Sequence, residues 1–226
     1  MKQVLSILIS TVSAVLVTRY WPQISETARP ALQAVQDTVF HVGPHSAWYA
    51  SRATGITSYL LIWLSLVGGL LMSSAWFDGL IGRGRLLAFH QTAAILGVLL
   101  GLSHALVLIP DGWTRFSYYD LFVPFGSYYK PLLSGIGTLS LYLSFIVSIT
   151  FWFRKRLGMK AWRYIHYSSF IAYAGALWHG YQIGTDSREP WLLGIYFATS
   201  MLITFGVVVR ITYIRPQIKR RTAAAA

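Results

Sequence analysis

Four histidines lie within long apolar runs of this sequence, where an ionisable side chain is costly to insert and marks a candidate functional site. His90 and His104 are fourteen residues apart in one run, and His166 and His179 are thirteen apart in another. At about 1.5 Å per residue, each pair spans roughly 20 Å along a helix. We therefore expect two levels of paired imidazoles. They join His90 with His166 near one membrane face and His104 with His179 near the other.

Paired imidazoles at two depths indicate a particular chemistry. Two neutral imidazoles on opposite sides of an iron porphyrin give bis-histidine ligation, and two stacked haems would carry an electron across a layer that admits no free charge. A porphyrin also needs small residues beside it. Ala94, Gly97 and Gly101 fall within about 40° of His90, at about 100° per residue. We predict two b-type haems, with the four histidines as iron ligands and with Gly97 and Gly101 against the cofactors.

The second histidine pair fits this geometry less well. Thirteen residues rotate an ideal helix by about 220°, so His166 and His179 share no face unless the helix is distorted or the haems are approached sideways. Structural hydrogen bonding between helices and an intramembrane proton or metal relay are the alternatives. His41 and His45 lie in a polar loop, and we interpret them as surface residues.

The composition indicates what positions the histidines. Of 226 residues, 55% are hydrophobic, 15% are aromatic and only 12% are charged, which favours a membrane protein over a soluble domain. Crossing about 30 Å of hydrocarbon takes roughly 20 apolar residues. Six runs qualify, and they extend approximately from Val4 to Thr18, Tyr49 to Ser74, Leu86 to Ile109, Leu132 to Phe153, Ala161 to Ile183 and Trp191 to Tyr213. We predict an all-α, six-helix integral membrane bundle that forms one domain over residues 1–226, with two haems stacked between the third and fifth helices.

The first apolar run is short enough to be a secretory signal. However, no small-residue cleavage pattern precedes Arg19, and the adjacent Tyr20 and Trp21 are typical of an interfacial belt at the end of a membrane helix. We therefore expect this run to be retained.

Charge sets the expected orientation, because short cytoplasmic loops collect Lys and Arg. With the amino terminus inside, thirteen of the nineteen basic residues lie on the cytoplasmic side, and six of the seven acidic residues lie outside. We predict a multi-pass protein of the plasma (inner) membrane with both termini in the cytoplasm. The same pattern accounts for the formal net charge of +12, so we expect no nucleic-acid partner. The absence of cysteine excludes disulfides, iron–sulfur clusters and thioether-linked haem in this chain.

Three polar stretches connect or follow the predicted helices. Residues 19–48 are expected on the outer surface, around an amphipathic segment at 31–40. Residues 110–131 form a second outer loop, whose aromatic residues suit the headgroup level and which would cap the helices below. Residues 214–226 form a cytoplasmic tail. We find no internal repeat, no glycine-rich phosphate loop and no soluble domain.

Anionic haem propionates need cationic neighbours near each membrane face. Arg52, at the outer start of the second helix, is the candidate for the outer haem. Arg83, Arg85 and Arg163 are the candidates for the inner haem. The alternative for each arginine is a topology determinant in headgroup water.

Short motifs surround the histidines. The third helix opens with Phe89–His90 and closes with Ser103–His104, while the fifth opens with Tyr164–His166 and closes with His179–Gly180. With thirteen and twelve intervening residues, these spacings resemble the ferric reductase-like transmembrane domain. Ferric reductases, NADPH oxidases and bacterial single-domain relatives share that domain.

Two further segments, Arg52–Gly55 and Arg83–Leu87, resemble the bacterial haem subunit that serves a periplasmic methionine sulfoxide reductase. The resemblance covers most of the chain and implies six helices, two haems and electron flow from the cytoplasmic side outward. Members with their own reductase activity carry a flavin and NADPH module after the sixth helix. Because the sequence ends thirteen residues after Tyr213, we expect no flavin or nicotinamide site here. The electron donor is then a separate cytoplasmic flavoprotein or membrane quinol.

These observations support one leading hypothesis and two alternatives. The leading hypothesis is an oxidoreductase haem subunit that delivers electrons to an outer acceptor, which is a redox protein, ferric iron or oxygen. The first alternative keeps the haems in a non-catalytic anchor subunit of a larger redox complex. The second is a proton or metal transporter with a histidine relay. No Asp or Glu lies inside any of the six runs, and a relay usually adds buried carboxylates, so the sequence favours the haems.

Overall fold

The computed structural model describes residues 46–74, 82–109, 115–214 and 216, and all regular structure in these ranges is helical. The first apolar run, the segment at 31–40, His41 and His45 lie outside them. The helices of the described ranges are α1 (Ser46–Ser74), α2 (Arg83–Leu106), α3 (Tyr118–Phe122), α4 (Pro131–Leu157), α5 (Met159–Tyr167), α6 (Ser169–Ile183) and α7 (Pro190–Val209), which continues as a π-helical turn (Arg210–Ile214).

Four of these helices are long and apolar enough to cross a membrane. They comprise α1, α2, α4 and α7 with its π-helical turn, and their mean hydropathies lie between 1.7 and 2.1. Each has at least 24 residues, more than the roughly 20 that span the hydrocarbon. The predictions of membrane helices in the second, third, fourth and sixth apolar runs are therefore confirmed in length and composition, and the chain is a multi-pass membrane protein.

Backbone chemistry explains where several helices begin and end. Pro131 and Pro190 occupy the first position of α4 and α7, where the missing N–H has no helical partner to lose. Gly158 ends α4 with φ at +80°, a conformation that glycine adopts without steric cost. The chain can therefore turn from α4 into α5 within one residue.

The fifth apolar run forms two helices, α5 and α6, with Ser168 between them. The amide of Ser168 donates to the carbonyl of Ile165 at 3.1 Å, an i to i−3 bond that tightens the helix locally. The serine hydroxyl donates to the same carbonyl at 2.6 Å. This interruption lies between His166 and His179, so the local distortion that was one of the two explanations of their spacing is present.

A buried cluster joins α1, α6 and α7 through three tyrosines. Tyr59 stacks on Tyr173 with ring centres 5.6 Å apart and meets the ring of Tyr196 edge-on at 5.3 Å. The Tyr59 hydroxyl hydrogen-bonds the hydroxyl of Tyr173 at 2.9 Å and that of Thr199 at 2.5 Å. The buried hydroxyls of Tyr59 and Tyr173 thus have partners, and the cluster holds α6 and α7 against α1.

Helix α4 contacts α2, α5 and α6, and so touches every helix that carries a histidine of the two pairs. The described part of the predicted outer loop rests on the first half of α4. Thr138 donates to the carbonyl of Leu121 at 3.0 Å, and Tyr142 donates to that of Phe122. This loop therefore packs on α4, and its position on the outer side and its capping role stay predictions.

Candidate functional site

The four histidines form two pairs across the bundle. His90 of α2 faces His166 of α5, with ring centres 5.9 Å apart and ring planes at 71°. His104 of α2 faces His179 of α6, with ring centres 6.2 Å apart and planes at 83°. Metal–imidazole bonds are about 2 Å long, so two imidazoles on opposite sides of one metal ion have ring centres roughly 6 Å apart. Both pairs therefore have the separation expected of two imidazoles that would bind one metal ion.

Three of these rings are anchored through Nδ1 to a backbone carbonyl of a neighbouring helix. His104 bonds Ser51 O at 2.7 Å, and His179 bonds Leu133 O at 2.8 Å. His90 makes the same bond to α1, at 2.7 Å from Ser65 O. A carbonyl oxygen only accepts, so Nδ1 must carry the hydrogen in each case. The lone pair of Nε2 therefore remains for a metal ion, which is the arrangement of metal-ligating histidines.

Two anchored rings also lie directly on glycines. A Cβ atom on Gly55 of α1 would stand 2.7 Å from Nδ1 of His104, and a Cβ on Gly137 of α4 would stand 2.5 Å from Nδ1 of His179. A side chain at either position would displace the ring. His104 and His179, which form the outer pair in the predicted orientation, are therefore each held against the backbone of a neighbouring helix.

His166 is held differently. Its ring stacks on Trp162, one turn earlier on α5, with ring centres 4.9 Å apart and planes at 21°. Trp162 in turn meets the ring of Phe151 on α4 at 6.3 Å. Aromatic packing thus orients this histidine, whereas the other three are oriented by carbonyl hydrogen bonds.

A cavity of about 320 Å³ opens beside His90 and His166, which form the inner pair in the predicted orientation. Apart from His90 and His166, its lining is mainly apolar and includes Ala94, Phe170 and Trp152. Its volume lies within the range of small-molecule and cofactor sites. The inner layer therefore combines two facing imidazoles with apolar space beside them, and this combination suits a flat, largely hydrophobic metal macrocycle.

The predicted arginines fall in different places. Arg163 lines the inner cavity, whereas Arg83 and Arg85 are exposed at the start of α2 and are not part of the lining. Arg210, which the sequence did not single out, also lines the cavity from the start of the π-helical turn. On the outer side, Arg52 forms an ion pair with Asp186 in the turn after α6.

Gly97 and Gly101 contact neighbouring helices in this structure. A Cβ on Gly97 would lie 2.9 Å from the side chain of Ile62 on α1. A Cβ on Gly101 would lie 3.0 Å from the hydroxyl of Ser58 and 3.2 Å from Leu141 on α4. The two glycines allow α1 and α4 to approach α2, and contact with a cofactor remains a prediction for them.

The geometry defines what each layer can bind. Within the part of the chain that the structure describes, no three His, Cys, Asp or Glu side chains gather into a metal cage. Each layer offers two imidazoles whose ring centres are about 6 Å apart. This donor set fits a metal that brings its own equatorial ligands, as iron does in a porphyrin.

Comparisons of this chain with protein-family models, curated proteins and solved structures give no match. The resemblance to the ferric reductase-like domain therefore stays a prediction, and function is inferred from the residues themselves.

Several residues of the site escaped the sequence reasoning. The acceptor at Leu133 and the glycine at Gly137 have no pattern that sets them apart in an apolar helix. Ser51 and Ser65 do have one, because they are fourteen residues apart, like His90 and His104. A match between those two spacings would have indicated that the two helices pair in an antiparallel register.

Proposed function

We propose that this protein is a transmembrane electron conduit in which His90 with His166, and His104 with His179, ligate two b-type haems. The observation that carries the proposal is the pair of facing imidazoles at each level, with Nδ1 of three rings committed to backbone carbonyls. When bound, each haem supplies a one-electron couple within the hydrocarbon layer.

The protein's own residues position the ligands and shield them from water. Carbonyl oxygens on α1 and α4 fix the tautomer and rotation of His90, His104 and His179, so each offers Nε2 as a neutral ligand. Fourteen residues separate the levels on α2, which corresponds to about 21 Å along the helix axis. With a haem at each level, an electron would cross the bilayer in steps that are shorter than its full thickness.

Cationic groups are available near the inner layer for anionic propionates. Arg163 and Arg210 both line the inner cavity, and a guanidinium can donate two parallel hydrogen bonds to one carboxylate. For the outer layer we propose Arg52, which already binds one carboxylate, that of Asp186. A haem propionate is also a carboxylate and would bind the Arg52 guanidinium through the same kind of ion pair.

We further propose that both termini face the cytoplasm of a plasma-membrane protein and that electrons enter at the inner pair. The distribution of basic residues supports this orientation. The donor would be a cytoplasmic flavoprotein or quinol, and the acceptor a redox protein, ferric iron or oxygen at the outer face. On this proposal the protein would act in the same way as the ferric reductase-like haem subunits that its sequence resembles.

The hydrogen-bonding pattern favours this function over a proton relay. A relay histidine must release a proton from one ring nitrogen while it gains one at the other. In three of the four rings Nδ1–H is bound to a helix carbonyl, which cannot carry a proton onward. These rings are arranged as ligands.

The test is electron transfer across a sealed membrane. Purified protein is reconstituted in liposomes with ferricyanide trapped inside, and dithionite is added outside. We expect bleaching of the trapped ferricyanide at a rate at least tenfold above protein-free liposomes, and loss of that rate in His104→Ala and in His166→Ala. Proton flux without ferricyanide reduction would replace the proposal with the relay.

A further inference from the structure

Three serines recur every seven residues along the face of α1 that packs on α2. Each hydroxyl donates to a backbone carbonyl of α2 at 2.7–3.0 Å. The donors are Ser51, Ser58 and Ser65, and the acceptors are the carbonyls of His104, Gly97 and His90 in that order. The acceptors are also seven residues apart, so the two antiparallel helices stay in one register over two heptads.

The first and last serines make a second contact that the middle one lacks. The hydroxyl oxygen of Ser51 lies 3.0 Å from Nδ1 of His104, and that of Ser65 lies 3.0 Å from Nδ1 of His90. Because each hydroxyl hydrogen is directed to the histidine carbonyl, the hydroxyl oxygen accepts from Nδ1–H. Each of these two serines therefore offers the Nδ1–H group two acceptors, the serine backbone carbonyl and the serine hydroxyl.

These hydroxyls have little access to competing water. Ser51 is 4% exposed and Ser65 is 6% exposed. The middle serine, Ser58, is equally buried at 6% and binds the carbonyl of Gly97, where no ring is present. The three positions thus share burial and a helix-to-helix hydrogen bond, and they differ in contact with an imidazole.

We propose that Ser51 and Ser65 are positioning residues, one for each layer, that tune His104 and His90 as iron ligands. This inference rests on the proposed function. Acceptance of the Nδ1 hydrogen makes Nε2 more basic, and a more basic axial ligand stabilises ferric over ferrous iron. Each serine hydroxyl therefore lowers the reduction potential of the haem at its own level and restricts rotation of the ring.

The experiment is a redox titration of the haem-loaded protein with matched alanine variants. Ser51→Ala should raise the potential of the outer haem alone, and Ser65→Ala that of the inner haem alone. We expect a change of threefold to tenfold in the reduction equilibrium, where tenfold corresponds to about 59 mV for one electron. Ser58→Ala removes the same kind of helix contact and should leave both potentials unchanged. The His179→Ala variant, which removes an outer ligand, assigns each potential to its layer.

Electron paramagnetic resonance of the ferric protein gives an independent readout, because the g-values of a low-spin haem follow the orientation of its axial rings.

Ser51→Thr and Ser65→Thr keep the hydroxyl and should restore the wild-type potentials. Where an alanine variant does not accumulate with haem, the Ser→Cys variant replaces the hydroxyl with a weaker partner of similar size. Equal shifts in all three alanine variants, or none in Ser51→Ala and Ser65→Ala, would overturn the inference. A wild-type protein without haem would instead refute the proposed function.

Discussion

Because Gly55 contacts His104, the addition of a single methyl group at position 55 tests the outer layer. In Gly55→Ala the new Cβ would stand 2.7 Å from Nδ1 and 3.0 Å from Cε1 of the ring, whereas ordinary contacts need about 3.5 Å. The ring must retreat by roughly 0.8 Å, which would stretch its 2.7 Å bond to Ser51 O beyond hydrogen-bonding range. A lost hydrogen bond plus overpacking costs about 2–4 kcal/mol. We expect outer haem affinity to fall roughly 30- to 700-fold, since 1.4 kcal/mol is about tenfold.

Gly68→Ala on the same helix is the matched control. Its Cβ would lie 3.5 Å from the Cβ of His90, an ordinary contact, and both variants gain the same helix propensity. Haem content and the optical titration of each purified variant provide the assay. Gly55→Ala should retain about half of the wild-type haem, while Gly68→Ala retains all of it. The reasoning fails if the two variants bind equal amounts of haem or if Gly55→Ala loses the inner haem.

Three further predictions concern other contacts. Trp162→Leu removes the stacking on His166, so the inner haem should pass to apomyoglobin several-fold faster than in wild type; equal rates would contradict this. Tyr59→Phe deprives the buried hydroxyl of Tyr173 of its partner and should cost about 1–3 kcal/mol, visible as a lower thermal midpoint in detergent. In the outer loop, hydrogen bonds from the neighbouring serine lower the pKa of Asp120. The hydrogen bonds between Ser117 and Asp120 that cap α3 should therefore persist at pH values above the usual carboxyl pKa of about 4. They should be lost as the pH falls through the lowered pKa of Asp120. Amide protection factors at pH 5 and pH 2, with Asp120→Ala unprotected at both, provide the check.

The sequence predicts four of the six expected membrane helices and the proximity of the histidines in each pair, because both depend on strong local signals. Apolar length alone locates α1, α2, α4 and α7. Two histidines on each of two helices, at matched spacings, leave few ways to pair His90 with His166 and His104 with His179. The structure brings these rings to 5.9 and 6.2 Å, and their role as haem ligands stays a prediction.

The supporting contacts are harder to predict, since they depend on the register between helices. The acceptor at Leu133 is a backbone carbonyl, which every residue carries, so no side chain marks it. Gly97 and Gly101 face α1 and α4, a direction that the helical face of His90 does not specify. A helix distortion was one of two ways to reconcile the rotation between His166 and His179, and its position at Ser168 depends on one serine hydroxyl and its local hydrogen bonds. Arg210 reaches the inner cavity from a π-helical turn, which has no reliable sequence signature.

The most direct test of the central claim is the reduced-minus-oxidised optical spectrum of the purified protein, with haem quantified against protein concentration. Ligation by His90 with His166 and by His104 with His179 predicts a low-spin b-type spectrum and two haems per chain. His179→Ala should reduce this to one haem, with the inner spectrum retained. A colourless protein, or a haem content unchanged by His179→Ala, would contradict the assignment of the two histidine pairs as haem ligands.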